Sequence, residues 1–382
     1  MKYIDEFRGQ ELARKLARAI NKEVEPQRSY SLMEFCGGHT HAIFRFGIPD
    51  LLPENVNFVH GPGCPVCVLP TSKIDNAIEL ALKHEVILCT YGDLLRAPAS
   101  KRQSLLKVKA EGTDVRIVYS TQDAIKIAVD NPKRQVVFFA IGFETTTPST
   151  AVAIKQAQKL ELKNFSIFCN HVLTPAAIQN ILDAPKVREL ETVAIDGFLG
   201  PSHVSSIIGT QPYEFFAKEY QKPVVIAGFE PLDVMQSTLM LIKQLNNSEF
   251  KVENEYTRVV TRDGNMKAKR LVAEVFELRD FFEWRGLGKV PYSALRIKQD
   301  FTELDAEKRF EFDKNPGHEV KGCECPAILR GVKRPADCEL FGTVCTPENP
   351  MGSCMVSSEG ACAAYWSYGR FKKQESSAAI NL

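Results

Sequence analysis

Eleven cysteines, at positions 36, 64, 67, 89, 169, 323, 325, 338, 345, 354 and 362, are the side chains from which chemistry is first expected. The odd number excludes complete internal pairing. In a reducing compartment such cysteines point to metal binding or thiol redox chemistry rather than to structural disulfides. Three groups stand out. Cys36 opens Cys36-Gly37-Gly38-His39-Thr40-His41, between the apolar run SLMEF and the helix-like AIFRFGI. Its glycines permit a tight strand-to-helix turn with exposed amides. A helix N-terminus lowers a thiol's pKa, and the thiolate is the form that ligates metal or attacks a disulfide. His39 or His41 would add a ligand or move a proton. The alternative is a small buried cysteine with packing histidines.

The second group is Cys64-Pro65-Val66-Cys67, preceded by His60-Gly61-Pro62-Gly63. A C-x-x-C in such a loop forms a reversible disulfide or supplies two metal ligands, but two thiols do not complete a four-ligand zinc site. The third group is C-terminal. Cys325, Cys338, Cys345 and Cys362 would close one four-thiolate site, with Cys323 and Cys354 in reserve. The spacing C-x12-C-x6-C-x16-C fits neither a zinc ribbon nor a ferredoxin run, so zinc and iron–sulfur both stay open. Cys89 and Cys169 end apolar runs and are expected in the core.

The elements that must position these groups alternate. Apolar runs at Ser31–Phe35, Val56–His60, Val86–Thr90 and Val115–Tyr119, then at Val136–Ile141, Ser166–Cys169, Ile195–Leu199 and Val224–Ala227, read as strands. Helical patterns such as Lys73–Lys83 and Thr150–Lys159 lie between them. This is the signature of βα units with parallel sheets. An eight-stranded barrel is conceivable, but two successive four-stranded α/β domains are preferred. They span residues 29–120 and 121–245, with a joint near Asn131-Pro132. A repeat of Gly-Phe-Glu at 142–144 and 228–230 lends this faint support. Residues 1–28 and 246–382 form the remainder, Cys-dense from 323 to 362, where a metal centre would supply the constraint that apolar mass does not.

Several strands run into polar loops, which parallel sheets gather beyond their carboxyl ends. Glu144, His171, His203, Glu230 and Asp233 lie on such loops and read together as a polar pocket; singly, each suits a helix cap or structural bond. The Glu283–Gly288 string EWRGLG suggests no chemistry, and no P-loop or other nucleotide or protease motif is present. Lys plus Arg number 48 and Asp plus Glu 47 in 382 residues. That balance gives no reason to expect nucleic acid or an anionic membrane surface as partner. No apolar stretch approaches the ~20 residues of a membrane span. The charged N-terminal sequence lacks an apolar signal core, so a cytoplasmic location is expected.

The strings CGGHTHAIFRFGI (36–48), LLPENVNFVHGPGCPVCVLP (51–70), GFETTTP (142–148), GPSHVSSIIG (200–209), AGFEPLD (227–233), EWRGLG (283–288) and CELFGTVCTPENPMGSCMVSSEGACAAY (338–365) together resemble the HypD family, from the first residues to about 370. The resemblance implies two similar α/β domains and a third holding a [4Fe–4S] cluster, with ligands falling on Cys325, Cys338, Cys345 and Cys362. It implies an assembly scaffold with redox activity, rather than a conventional enzyme, for the Fe(CN)2CO centre of nickel–iron hydrogenases. The iron would be held by Cys36 together with a cysteine of HypC. Cys64 and Cys67 would be redox-active, HypE would deliver cyanide, and a hydrogenase large subunit would receive the product. His39, His41, Glu144, His203 and Glu230 are expected to assist. A stand-alone iron–sulfur disulfide reductase is the alternative, and a zinc-stabilised interaction protein a third reading.

Overall fold

The apolar runs become parallel strands that sort into two sheets. In the computed structural model, which describes residues 5–187, 194–313 and 317–369, the strands are β1 (Tyr30–Glu34), β2 (Val56–His60), β3 (Ile87–Thr90), β4 (Val115–Ile117), β5 (Val136–Gly142), β6 (Phe165–His171), β7 (Gly197–Pro201), β8 (Val224–Ala227) and β9 (Val252–Asn254). The polar tail from 370 lies outside the described residues. One sheet has the order β2-β1-β7-β8-β9 and the other β4-β3-β5-β6, with every pair parallel. β5 and β6 are buried at every position. Continuous apolar runs such as VVFFAIG are what a strand covered on both faces requires.

The two α/β sheets are present, but they are not successive. β3 and β4 pair with β5 and β6, while β7 and β8 return to β1. The segment Ile87–His171 is therefore a contiguous four-stranded sheet inserted between β2 and β7 of a five-stranded one. A division at residue 120 separates strands that share a sheet. The helix Thr121–Asp130, ending at Asn131 before Pro132, connects β4 to β5 within one sheet instead of joining two units. Apolar runs of equal strength look alike in sequence, and their partners are chosen non-locally, by the layers that bury each face. Counted within itself, each sheet follows the order 2-1-3-4, the first adding β9 as a fifth strand. The Gly-Phe-Glu repeat does not mark this likeness. One copy follows β5, the third strand of its sheet, and the other follows β8, the fourth of its own.

The residues beyond 246 spread over both sheets. β9 extends the first sheet, and the helix Met266–Val275 packs on Thr147–Lys159 beside the second. Antiparallel pairs, Phe276–Leu278 with Leu295–Ile297 and Phe281–Trp284 with Gly288–Pro291, follow. The N-terminal helix Gln10–Glu23 lies on Pro231–Asn246, burying Ile20 in the first sheet's outer core. The Cys-rich segment packs instead on the turn Pro65–Val68 and the helix Gly37–Arg45. Its buried cysteines share one core with Cys64, Cys67 and Met33.

Candidate functional site

β1 lies between β2 and β7, where the strand order of the first sheet reverses. In open parallel sheets such a crevice, beyond the carboxyl ends, is the ordinary ligand site. Cys36 stands there, directly after β1, as the cap of the helix Gly37–Arg45. His203 stands across from it, on the helix Ser202–Ile208 that starts where β7 ends. Of the expected loops, those after β1, β2, β7 and β8 meet on this side.

Cys36 is 7% exposed. Burial, then the carboxylates of Glu359 and Glu34, push its thiol well above the ordinary range, against the opposing N–H groups of Gly38 and His39. The expectation that the helix start alone would depress this thiol is thus overturned: desolvation and two carboxylates outweigh two amides. A cation at the sulfur would reverse the balance.

Glu34, the last residue of β1, is fully buried. Its Oε2 accepts the Cys36 N–H at 3.0 Å. Its Oε1 accepts the Thr40 hydroxyl and lies 2.8 Å from His60 Nδ1. Sequence reasoning missed this network. Its signal was a carboxylate inside the apolar run SLMEF, next to the cysteine.

His39 is buried, with Nε2 3.0 Å from both the Ala227 and Gly228 carbonyl oxygens. Burial lowers its pKa, and Nδ1 has no hydrogen-bond partner among the described residues. Phe229 packs against His39 and His203, at ring-centroid distances of 5.1 and 4.1 Å. His203 is also held below its ordinary pKa, by burial and then by His39. A Cβ on Gly38 would fall 2.5 Å from the Phe229 ring, which explains the glycine there. His41 meets Tyr368 edge-on at 5.3 Å.

The C-x-x-C loop touches this turn directly. Gly37 N–H donates to the Gly63 carbonyl oxygen, and a Cβ on Gly63 would lie 2.5 Å from the Cys36 nitrogen. Cys64 and Cys67 are buried and joined as a disulfide, with Cα atoms 5.2 Å apart. Cys67 N–H donates to Cys64 Sγ at 3.3 Å, and Cys67 Sγ lies 3.7 Å from the carbonyl oxygen of Ser353. The pair thus bridges the Cys36 turn and the Cys-rich segment.

In that segment the sulfurs of Cys323, Cys325, Cys354 and Cys362 interact directly: Cys325 with each of the others, and Cys354 with Cys362. The bonds from Cys325 and Cys362 hold the Cys354 thiol below its ordinary range. Cys345 senses Cys323 and Cys325 electrostatically, and Cys338 Sγ lies 3.9 Å from the Gly322 carbonyl oxygen. A Cβ on Gly352 would stand 2.4 Å from the sulfurs of both Cys323 and Cys325. The space the glycine leaves is taken up by sulfur. Among the described residues no three His, Cys, Asp or Glu side chains are grouped as a single metal ion would require. The donor set itself, six thiols in one short segment, is soft and suits iron–sulfur ligation.

The remaining expected residues have structural partners. Glu144 accepts the N–H and hydroxyl of Thr174, at 2.9 and 3.1 Å, capping the helix from Thr174; burial raises its pKa to about 7. Glu230 receives Arg8 Nη2 at 3.0 Å, and its own N–H donates to Asp233. His171 lies 2.8 Å from the Thr150 hydroxyl, and burial lowers its pKa to about 4. Cys89 and Cys169 are buried in the second sheet, as expected. No helix among the described residues is long and apolar enough to cross a membrane.

The model of the HypD family, described as the hydrogenase formation hypA family, matches residues 11–369. The chain is 64% identical over 375 residues to the hydrogenase maturation factor HypD2 of Bradyrhizobium diazoefficiens, covering 98% of this chain and 99% of that one. It is 64% identical to HypD of Rhizobium leguminosarum bv. viciae, over 98% and 97% of the two chains. It is 45% identical to HypD of Escherichia coli, over 99% and 100%.

Proposed function

The chain belongs to the HypD family of hydrogenase maturation factors, and from that premise we propose that it is the scaffold on which the Fe(CN)2CO moiety of nickel–iron hydrogenases is assembled. The observation that carries this is the meeting of three thiol groups at one place. The Cys36 turn is held against Gly63, and the adjoining Cys64–Cys67 pair is held against Ser353 in the Cys-rich segment. In this reading the iron is the cargo, bound by Cys36 and by a cysteine of HypC. HypE brings the cyanide groups, and a hydrogenase large subunit takes the product.

Cys36 supplies the thiolate, and its buried backbone is fixed by Glu34. His39, buried, and His203, exposed beside Phe229, present imidazoles whose pKa values are lowered, by desolvation and at His203 then by His39, and each can accept or donate hydrogen bonds. His41 lies on another face of the same helix, edge-on to Tyr368. Glu144 and Glu230 take positioning roles, one through Thr174 and the other through Arg8 and Asp233. The candidate cluster ligands are Cys325, Cys338, Cys345 and Cys362. A [4Fe–4S] cluster bound there would supply reducing equivalents one electron at a time. Cys64–Cys67 opens on uptake of two electrons and two protons to a dithiol, and closes on giving them up.

The test is the infrared spectrum of protein purified anaerobically after co-expression with HypC and the cyanide-delivering proteins, beside Cys36→Ala. Cyanide and CO stretching bands that vanish in Cys36→Ala are the expected result. An iron–sulfur chromophore without such bands in the wild type would overturn the scaffold and favour a stand-alone disulfide reductase. Cys64→Ser is expected to reduce loading, and unchanged loading would remove the redox step.

A further inference from the structure

The EWRGLG string, which suggested no chemistry in the sequence, places Arg285 between the disulfide and the Cys-rich segment. Arg285 is 3% exposed. Its N–H donates to the Val68 carbonyl oxygen at 2.8 Å, at the end of the Cys64–Cys67 turn. Its Nη1 donates to the Ser353 hydroxyl, and its Nη2 to the Thr71 hydroxyl at 2.8 Å. Glu319 balances its charge, with Oε1 3.2 Å from Nε. Arg285 therefore ties the turn that carries the disulfide, through its backbone N–H, to the start of the helix Thr71–Lys83 and the residue beside Cys354, through its guanidinium.

Ser353 is the residue that faces the disulfide. Its carbonyl oxygen lies 3.7 Å from Cys67 Sγ. A disulfide sulfur has no proton to give, so this approach gains nothing while the pair is oxidised. On reduction the Cys67 thiol acquires a proton and finds an acceptor already in place. Cys64 Sγ is meanwhile met by the Cys67 N–H at 3.3 Å.

We propose that Arg285 is a positioning residue for reduction of the Cys64–Cys67 disulfide: by clamping Ser353 against the turn, it holds the carbonyl oxygen that accepts the Cys67 thiol proton and so stabilises the reduced pair. The step balances as follows. An external dithiol gives up two electrons and two protons and closes to its own disulfide. The S–S bond between Cys64 and Cys67 breaks, and each sulfur takes one electron and one proton. This inference rests on the redox role given to Cys64 and Cys67 above.

The experiment is an equilibrium titration of the full chain, purified anaerobically, in dithiothreitol buffers of graded oxidation. Acid quenching, alkylation and mass spectrometry of the peptide carrying Cys64 and Cys67 read out the reduced fraction. Two variants are used. Ser353→Ala removes the hydroxyl while Glu319 still balances the buried charge, and Arg285→Lys keeps the charge and the backbone bond to Val68 but not the two-pronged hold on Ser353 and Thr71. Each is expected to lower the equilibrium constant for reduction about fivefold, equivalent to about 20 mV for a two-electron couple. Melting temperatures of both redox forms accompany the titration. A merely structural role lowers both equally, whereas positioning lowers the reduced form more. Constants within twofold of wild type in both variants, or equal losses of melting temperature in the two forms, would overturn the inference. A wild-type pair that does not titrate reversibly would overturn the redox role itself, and the inference with it.

Discussion

Glu34→Gln isolates the contribution of one buried carboxylate to the Cys36 turn. In the wild type, Oε2 receives the Cys36 N–H at 3.0 Å, and Oε1 faces the Thr40 hydroxyl and His60 Nδ1. A glutamine has one acceptor oxygen and one amino group. If the oxygen keeps Thr40 and His60, the amino group faces the Cys36 N–H, donor against donor. If it flips, the amino group can donate to the Thr40 hydroxyl oxygen and to an Nδ1 that has changed tautomer, and the oxygen keeps the Cys36 N–H, but as a neutral rather than a charged acceptor. The backbone amide cannot change its role, so the first arrangement strands it. Losing a hydrogen bond to a charged group costs about 1.5–3 kcal/mol. At about 1.4 kcal/mol per factor of ten, exchange of the Cys36 amide should accelerate by roughly tenfold to a hundredfold in the first arrangement, and by roughly fivefold in the second, where about 1 kcal/mol of charge assistance is lost. Native-state hydrogen exchange, read by mass spectrometry on the peptide spanning residues 33–38, measures this. Thr40→Val, which spares the Cys36 bond, serves as the control and should accelerate that amide much less. If Glu34→Gln remains folded and its Cys36 amide exchanges within threefold of wild type, the carboxylate does not hold the turn.

Other consequences follow from the same geometry. Gly63→Ala sets a methyl group 2.5 Å from the Cys36 nitrogen, a backbone atom that cannot swing aside. It should destabilise the fold by about 1–3 kcal/mol, seen as a lower denaturant midpoint, and reduce iron loading. Glu144, whose pKa burial raises to about 7 from 4.5, binds its proton more tightly folded than unfolded. Its contribution is full below pH 4.5 and is lost as pH rises towards 7, by about 3 kcal/mol. His171, lowered from 6.5 to about 4, acts in the opposite sense: its contribution is full above pH 6.5 and is lost as pH falls towards 4. Glu144→Gln should therefore leave stability falling more steeply on acidification between pH 6.5 and 4.5 than in wild type, and an unchanged slope in urea titrations would contradict this. Finally, Cys338→Ser and Cys345→Ser should each lose iron, sulfide and visible absorbance, while Cys323→Ser and Cys354→Ser retain them. The reverse pattern would assign the cluster to the four sulfurs that touch directly, Cys323, Cys325, Cys354 and Cys362.

Much of the site was legible because its signals are local. Two glycines after Cys36 announced a turn, and the Phe229 ring beside Gly38 and the Glu359 backbone beside Gly37 leave no room for larger residues there. The C-x-x-C spacing brought Cys64 and Cys67 within disulfide reach. Glu34, Phe229 and Arg285 were not legible as site residues. A carboxylate in a strand, a phenylalanine in a loop and an arginine after tryptophan acquire meaning only from what packs on them, and those partners lie 6 to 214 residues away in the chain. The thiol of Cys36 was misjudged for the same reason. The helix start that favours its thiolate is local, but Glu359 and the covering layers that oppose it are not.

The order of residues alone determined that eight apolar runs would be strands between helices, that these would pair in parallel, and which thiols were candidates for chemistry. Apolar runs of four to seven residues and the backbone freedom of glycine are properties of short stretches of chain. Only the tertiary structure decided that β1 takes β7 and leaves β3 to another sheet. It alone brought the Cys-rich segment onto the Cys64–Cys67 turn and made Arg285 the tie between them. A strand presents the same N–H and C=O groups to any partner. The choice among partners is made by side-chain layers assembled from distant parts of the chain, through burial that no short segment can express by itself.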